Sequence, residues 1–500
     1  MLGQTYATPD FHIVRAGSRS WILHAGSSDL YEFTADLAPS DGPALAAGEA
    51  ALCEDLERLR SSGYLRDFNR SRLARASPLD GANLALNINL TSVCNLGCTY
   101  CFAEGGDYGR IKGKLNTQTD LDAILRFVRT NARTGEAVRL EFFGGEPMMN
   151  FDALEALCHR ASALADEIGI RFHHRISTNL TTRLSERELA LFERFGFTVS
   201  VSIDGGPATH DRNRPSLSGR GSFDAIVANC RKVRERSEAI TLVARMTYVP
   251  FPDSSLITDV RELQTLNIFD WFQILPAVIS DNFIEPVFGD SFFERNRTEI
   301  YTLCDQKIDD EYRLLARDYT SLFQPGNRFK GVLEIENLIR MILLGEVANG
   351  HCSGGRRYFT FSPDQSIMPC HRLVGEIEYK SGDFTTGVIS KTTTDWRRSI
   401  DETPVCADCA IRYLCSGGCK QENFVRTGEM NRPDPRSCRF QFRLVDTAIE
   451  TIGRAGAEEL ATDRAALRDL FVSCGRPTLG TNRAAHRGGR PKLQYLTPLT

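Results

Sequence analysis

What the chain lacks narrows its reading first. No stretch approaches the ~18 consecutive apolar residues of a membrane span. The N-terminal "MLGQTYATPDFHIVRAG" has no basic start followed by an apolar run, so no secretory signal is expected. Charge of one sign is also missing: 60 Lys and Arg against 64 Asp and Glu leave a formal net charge of −4. That balance gives no reason to expect nucleic acid or an anionic membrane as a partner. No internal repeat is present. These absences leave a cytoplasmic protein as the expectation. With 42% hydrophobic and 25% charged residues the composition is that of a globular chain, and 500 residues exceed what one core holds.

Cysteine is where the chain is rich. There are fifteen, an odd number, in a chain without an export signal, which argues against a disulfide framework. Three fall in "CNLGCTYCF", at Cys94, Cys98 and Cys101, and seven more lie between 352 and 438. Cys53, Cys158, Cys230, Cys304 and Cys474 are scattered. Cys158 and Cys230 sit among apolar residues of helical periodicity and read as buried small hydrophobes.

From residue 84 strand-like and helix-like segments alternate. Strands rich in β-branched and aromatic residues are expected at 84–90, 138–143, 171–177, 198–203, 241–248 and 272–276. The segments between them carry apolar residues at three- and four-residue spacing, and Ser185 with Glu188 forms a capping box. This order implies a parallel sheet with helices outside, a barrel or an incomplete one. The first 75 residues read as a hairpin ("DFHIVRAG", "SRSWILHAG") followed by a helix, and 281–350 as mostly helical. The last 26 residues carry five Lys or Arg and no acid, and disorder is expected there.

In a barrel of this kind the chemistry lies on loops at the carboxyl ends of the strands. The unusual polar motifs fall there: the cysteine loop after the first strand, Gly144–Pro147 after the second, Ser177–Asn179 after the third and Ser202–Gly206 after the fourth. A zinc or iron–sulfur site wants four protein ligands. The trio offers three, and no histidine occurs from 94 to 150. Three thiolates hold three irons of a four-iron cluster and leave one open for substrate. The seven later cysteines, taken alone, fit an iron–sulfur module or a zinc ribbon.

The C-x3-C-x2-C spacing, with Tyr100 before the last cysteine, resembles the radical S-adenosylmethionine (SAM) superfamily over about 84–280. The resemblance implies that Cys94, Cys98 and Cys101 ligate a 4Fe–4S cluster whose open iron binds SAM. It implies that Gly144, Gly145 and Glu146 hold the methionine amino group and that Ser202 and Arg214 grip its carboxylate. Asn179 would contact the ribose, and the Phe102 backbone the adenine. Cleavage of SAM then yields a 5′-deoxyadenosyl radical that takes hydrogen from substrate.

Cys352, Cys370, Cys406, Cys409, Cys415, Cys419 and Cys438 follow the order of the SPASM domain attached to radical SAM enzymes that act on peptides. One departure is Gln365, where that family often has glycine. The resemblance implies auxiliary cluster I on Cys352, Cys370 and Cys419, and cluster II on Cys406, Cys409, Cys415 and Cys438. His351 and Cys304 are candidates for a further ligand to cluster I.

The fold expected is thus α/β: a partial (β/α)6 TIM-like barrel, a small α+β N-terminal domain and a C-terminal iron–sulfur SPASM domain. The divisions are 1–75, like a peptide-recognition element; 84–280, the radical SAM core; 281–350, a helical bridge; 351–445, SPASM; 446–474, a helix; and 475–500, a disordered tail. The cofactors implied are SAM and three 4Fe–4S clusters. The partners implied are a precursor peptide with its leader and a reductant such as flavodoxin or ferredoxin. The cysteine loop most resembles the branch that joins a Cys sulfur to carbon in ribosomally made peptides. Carbon–carbon cross-linking is an alternative. So is formylglycine formation by an anaerobic sulfatase maturase, against which stand the 93 residues before Cys94. A metal-stabilised peptide-binding module is the non-enzymatic alternative. The sequence names no general base: Asp204 reads only as shaping its turn.

Overall fold

The computed structural model describes residues 5–7, 11–16, 19–26, 28, 30–33, 83–109, 111–278, 297–344, 346–348, 350–388, 398–460, 478–481 and 494–496. The expected N-terminal hairpin is present and larger. Strands β1 (Thr5–Ala7), β2 (Phe11–Ala16), β3 (Arg19–His24) and β4 (Leu30–Phe33) form an antiparallel meander. The helix expected at 44–65 lies outside the described residues, as do Cys53 and Cys474.

The alternating half of the chain builds six parallel strands in sequential order: β5 (Ala85–Asn89), β6 (Ala137–Phe143), β7 (Arg171–Thr178), β8 (Thr198–Ser202), β9 (Thr241–Tyr248) and β10 (Trp271–Pro276). Each lies within a residue or two of its expected position. Between them run the helices Thr119–Asn131, Phe151–Ile168, Glu186–Arg194, Phe223–Arg236 and Leu256–Thr265. The Ser185–Glu188 capping box is formed. Strand alternation sorts the two faces. Val138, Leu140 and Phe142 of β6 join the apolar core under the helices, with Leu154, Leu157, Cys158 and Cys230. Arg139, Glu141 and Phe143 take the inner face.

The barrel is open. The free edge of β5 takes up β12 (Tyr358–Phe361) in parallel, after β11 (Glu346–Ala348). Strands β13 (Ser366–Met368), β14 (Gly382–Asp383) and β15 (Gly387–Val388) continue the same sheet antiparallel. Phe359 and Phe361 pack edge-on against Phe127, at 5.3 and 5.1 Å between ring centroids. Arg357 ion-pairs with Glu136 at the base of the same seam. At the other end, β10 meets Val332 through one parallel bridge ahead of the helix Leu333–Leu344.

Two divisions differ from expectation. One helix, Pro435–Leu460, runs across the boundary drawn at 445/446. The tail read as disordered contributes β16 (Thr478–Thr481), antiparallel to β11, and β17 (Gln494–Leu496), parallel to β4. Its composition favours solvent, but β4 and β11 offer unpaired edges that a short strand satisfies.

Candidate active site at the cysteine loop

The loop after β5 is held by backbone packed so closely that side chains are excluded. Gly145 N donates to Thr91 O and Glu146 N to Val93 O, each at 2.8 Å, which lays the loop after β6 alongside the approach to Cys94. A Cβ on Gly145 would stand 2.3 Å from Val93 O, and one on Gly144 (φ +136°) 2.4 Å from Thr91 O. A Cβ on Gly106 (φ +110°) would stand 2.4 Å from Gly145 Cα. The glycines thus serve close approach, here to the cysteine loop itself.

Glu146 is buried behind them. It accepts from Thr178 Oγ1 at 2.6 Å, Asn179 N at 2.7 Å and Met148 N at 3.0 Å. Burial pushes its carboxyl up to about 7 against those hydrogen bonds. Asn179 bridges outward: its Nδ2 lies 2.8 Å from Asn95 Oδ1 and 3.8 Å from Cys94 Sγ.

Arg214 is no surface arginine. It is 8% exposed and pairs with Asp204 at 3.0 Å, with the Tyr100 ring centroid 5.1 Å away. Tyr100, between the second and third cysteines, donates to the same carboxylate at 2.5 Å, and Thr247 N and Asn213 Nδ2 also donate to it. Asp204 therefore fastens the cysteine loop to the barrel top, which sequence reasoning missed in treating it as a turn former. The signal was a buried aspartate with a Tyr and an Arg in motifs already singled out. Arg214 Nε is buried without a partner, and the Arg214 charge is felt at Cys98. Ser202 ends β8 nearby, in register with Arg245 of β9.

The three thiols of the trio are free. Burial raises Cys94 to about 11 and Cys98 to about 12; Cys101 adds to both, and Cys94 to Cys98. The later seven sort into two groups. Cys370 is raised by burial and then by Cys419 and Cys352; Cys406 is raised to about 12 by burial and then by Cys415, Cys438 and Cys409. Cys352 and Cys419 are thus electrostatic neighbours of Cys370, and Cys409, Cys415 and Cys438 of Cys406. Among the described residues no group of three or more His, Cys, Asp or Glu converges on a single-ion centre. A tetrahedral zinc draws its sulfurs to ~2.3 Å from one point. An iron–sulfur cluster instead takes one thiolate on each iron, and thiol-only sets such as these have the donor chemistry for either group. The orphaned Arg214 Nε likewise fits a carboxylate such as that of SAM.

The two candidates for the further ligand lie in different surroundings. Cys304 is buried with Val249, Ala277 and Ile300, against Tyr100. His351 Nδ1 lies 3.2 Å from Cys415 O. Gln365 adopts φ +63° in the turn joining β12 to β13, the left-handed conformation that explains glycine elsewhere. Its side chain reaches Asp120 Oδ1 at 3.2 Å. The residues after Cys370 meet the cysteine loop. Phe102, 44% exposed, lies with its ring centroid 5.9 Å from that of His371 and 5.4 Å from the Arg372 guanidinium. Sequence reasoning did not pick out these two, whose signal was adjacency to a ligand cysteine.

Residues 88–263 match the profile of the radical SAM superfamily. The chain carries a radical SAM domain. The match runs from within β5 to the helix after β9, and the family's cofactors are SAM and a 4Fe–4S cluster. A cysteine-type anaerobic sulfatase-maturating enzyme of Clostridium novyi is 25% identical over 67% of this chain and 87% of its own. The PqqA peptide cyclase of Rhodopseudomonas palustris is 24% identical over 71% of this chain and 86% of its own. Among solved structures, native anSMEcpe with bound AdoMet shares the fold at TM-score 0.57 and 19% identity, covering 74% of this chain and 99% of that one. No helix among the described residues is long and apolar enough to cross a membrane.

Proposed function

We propose that this radical SAM enzyme is a peptide maturase that installs a cross-link in a ribosomally made precursor, from a cysteine sulfur to a carbon of an acceptor residue. The observation that carries the reading is the seven-cysteine segment. Its three-thiol group, Cys352, Cys370 and Cys419, stands next to residues that touch Phe102 at the SAM-cluster loop. Three thiols leave a position for a substrate thiolate, a soft ligand. The two relatives named a sulfatase-maturating enzyme and a peptide cyclase, matching beyond the radical SAM domain, support a peptide substrate.

In this reading Cys94, Cys98 and Cys101 hold the SAM cluster, and the two later groups hold auxiliary clusters I and II. Gly144, Gly145 and Glu146 face the SAM amino group, Arg214 and Ser202 its carboxylate, Asn179 its ribose and the Phe102 backbone its adenine. When bound, these cofactors supply reductive cleavage of SAM and abstraction of an unactivated hydrogen. The protein's own part is to fasten the loop through Asp204 and Tyr100 and to keep Arg214 charged. The β1–β4 sheet is the element proposed to take the peptide leader as an added strand, and flavodoxin or ferredoxin the reductant.

The test is anaerobic purification followed by coexpression with a small cysteine-bearing peptide. The expected results are about twelve iron atoms per chain, SAM cleavage on reduction, and a product lighter by two hydrogens with one thiol blocked. Hydrogen loss with the thiol still alkylatable replaces the thioether with a carbon–carbon bond. The second reading, formylglycine formation, is favoured by the Clostridium relative. It predicts a product that has lost its sulfur.

A further inference from the structure

Among the described residues the inner face of the barrel gathers several guanidinium groups around one carboxylate. Arg139 on β6, Arg175 on β7 and Arg245 on β9 alternate with residues that enter the outer core. Arg372 reaches the same space beside Phe102. Against these stands the Glu141 carboxylate, 3.8 Å from Arg175 and 3.9 Å from Arg139. Arg139 is 4% exposed, and its Nε and Nη1 have no partner among the described residues. Arg245 donates to Ser177 Oγ at 3.2 Å. Among the described residues no carboxylate oxygen comes within 4.0 Å of Arg245 or Arg372. Burial pulls the Arg245 pKa down; Glu141 opposes this, while Arg175, Arg372 and Arg214 add to it. A buried guanidinium is costly unless an anion meets its donors, and a carboxylate matches it bidentately.

We propose that the barrel interior recognises a carboxylate of the substrate, held by Arg245 with Arg372 beside it. The residue presented for hydrogen abstraction is then an aspartate or glutamate, a neighbour of one, or the peptide's C-terminus. This rests on the reading of the chain as a peptide maturase. SAM brings one carboxylate, for which Arg214 has its free Nε next to Cys98. Arg245 remains, in register with Ser202 at the level where SAM is expected.

The test uses the full-length, cluster-loaded enzyme with SAM and no reductant. Three probes are compared by saturation-transfer NMR: acetyl-Gly-Glu-Gly-amide, its Gln counterpart, and acetyl-Gly-Gly-Gly with a free carboxyl end. One of the two acids is expected to bind about tenfold or more tighter than the Gln amide, with the gap closing as salt is raised. Which acid wins tells a side-chain carboxylate from a C-terminal one. Arg245→Gln is expected to abolish the preference and Arg372→Gln to reduce it; should the first variant fail to fold, the second together with the salt dependence decides. Equal binding of all three probes overturns the proposal. So does an Arg245→Gln enzyme that loses SAM affinity while keeping the probe preference. SAM cleavage on reduction, without any probe, tests the maturase reading separately. Cleavage without a carboxylate preference removes this inference alone.

Discussion

His210 shows how a side chain away from the chemistry sets the limits of the site. It is 0% exposed, and its two nitrogens are matched to one tautomer. Asp204 N–H points at Nδ1 from 3.3 Å, so Nδ1 must accept. Ser222 Oγ donates to Arg214 O at 2.9 Å and so accepts from Nε2 at 2.9 Å. A second proton on the ring would face an N–H. Burial lowers the His210 pKa to about 4, with Arg214 acting the same way and Asp204 and Asp211 opposing. The folded protein therefore refuses a proton that the unfolded chain accepts below ~6.5. Stability should be level above that pH and fall, by up to about 3 kcal/mol from this group, as pH drops towards 4. His174, lowered by burial to about 4, adds to the same fall. Urea midpoints at pH 7 and 5 check this: His210→Gln should start lower yet lose less on acidification. An unchanged slope would assign the acid sensitivity elsewhere. Of this knot the sequence displayed Ser202 and Arg214 through their motif. The convergence of Tyr100, Asp204 and His210 was hidden because it joins separate loops.

At the scale of elements, what was legible follows local physics. The six strands and their helices were visible because period-two and helical patterns are written within short windows. The insertion of β12 beside β5 was not, since a parallel pair between distant segments leaves no local signature. The same distinction applies to the glycines. Their presence after β6 was plain, but the partner they approach is the preceding βα loop. An alanine at Gly145 must push Val93 O and Cys94 N, 2.3 and 3.0 Å from its Cβ, and these are backbone atoms that cannot turn aside. Gly145→Ala is thus expected to cost about 1–3 kcal/mol and to displace Cys94. Iron analysis should show loss of one cluster's worth, about four atoms, with the later cysteine groups still loaded. Full iron content in that variant would mean the loop tolerates the shift.

The whole molecule is organised around one sheet shared by the barrel and the cysteine-rich segment, with the N-terminal meander packed on the helix Pro435–Leu460. His12 Nε2 lies 2.6 Å from Asp446 Oδ1, and both residues are buried. The Phe442 ring sits edge-on to His12 with centroids 5.2 Å apart. Trp21 covers Gly453 so closely that a Cβ there would stand 2.8 Å from the indole. The helix bearing these contacts also bears Cys438 near its start, so the meander is tied to the cysteine-rich segment. If the meander receives the leader, its docking controls delivery of peptide and leaves SAM chemistry untouched. Gly453→Leu removes the Trp21 seat, and Asp446→Ala removes the His12 partner, costing about 1–3 kcal/mol of docking each. Both variants should red-shift tryptophan fluorescence and speed tryptic release of the N-terminal strands. SAM cleavage without peptide should stay at the native level, while conversion of a leader-bearing peptide falls several-fold and that of its leaderless core does not. Equal loss with both peptides would place the meander's role in supporting the cysteine-rich segment rather than in gathering substrate.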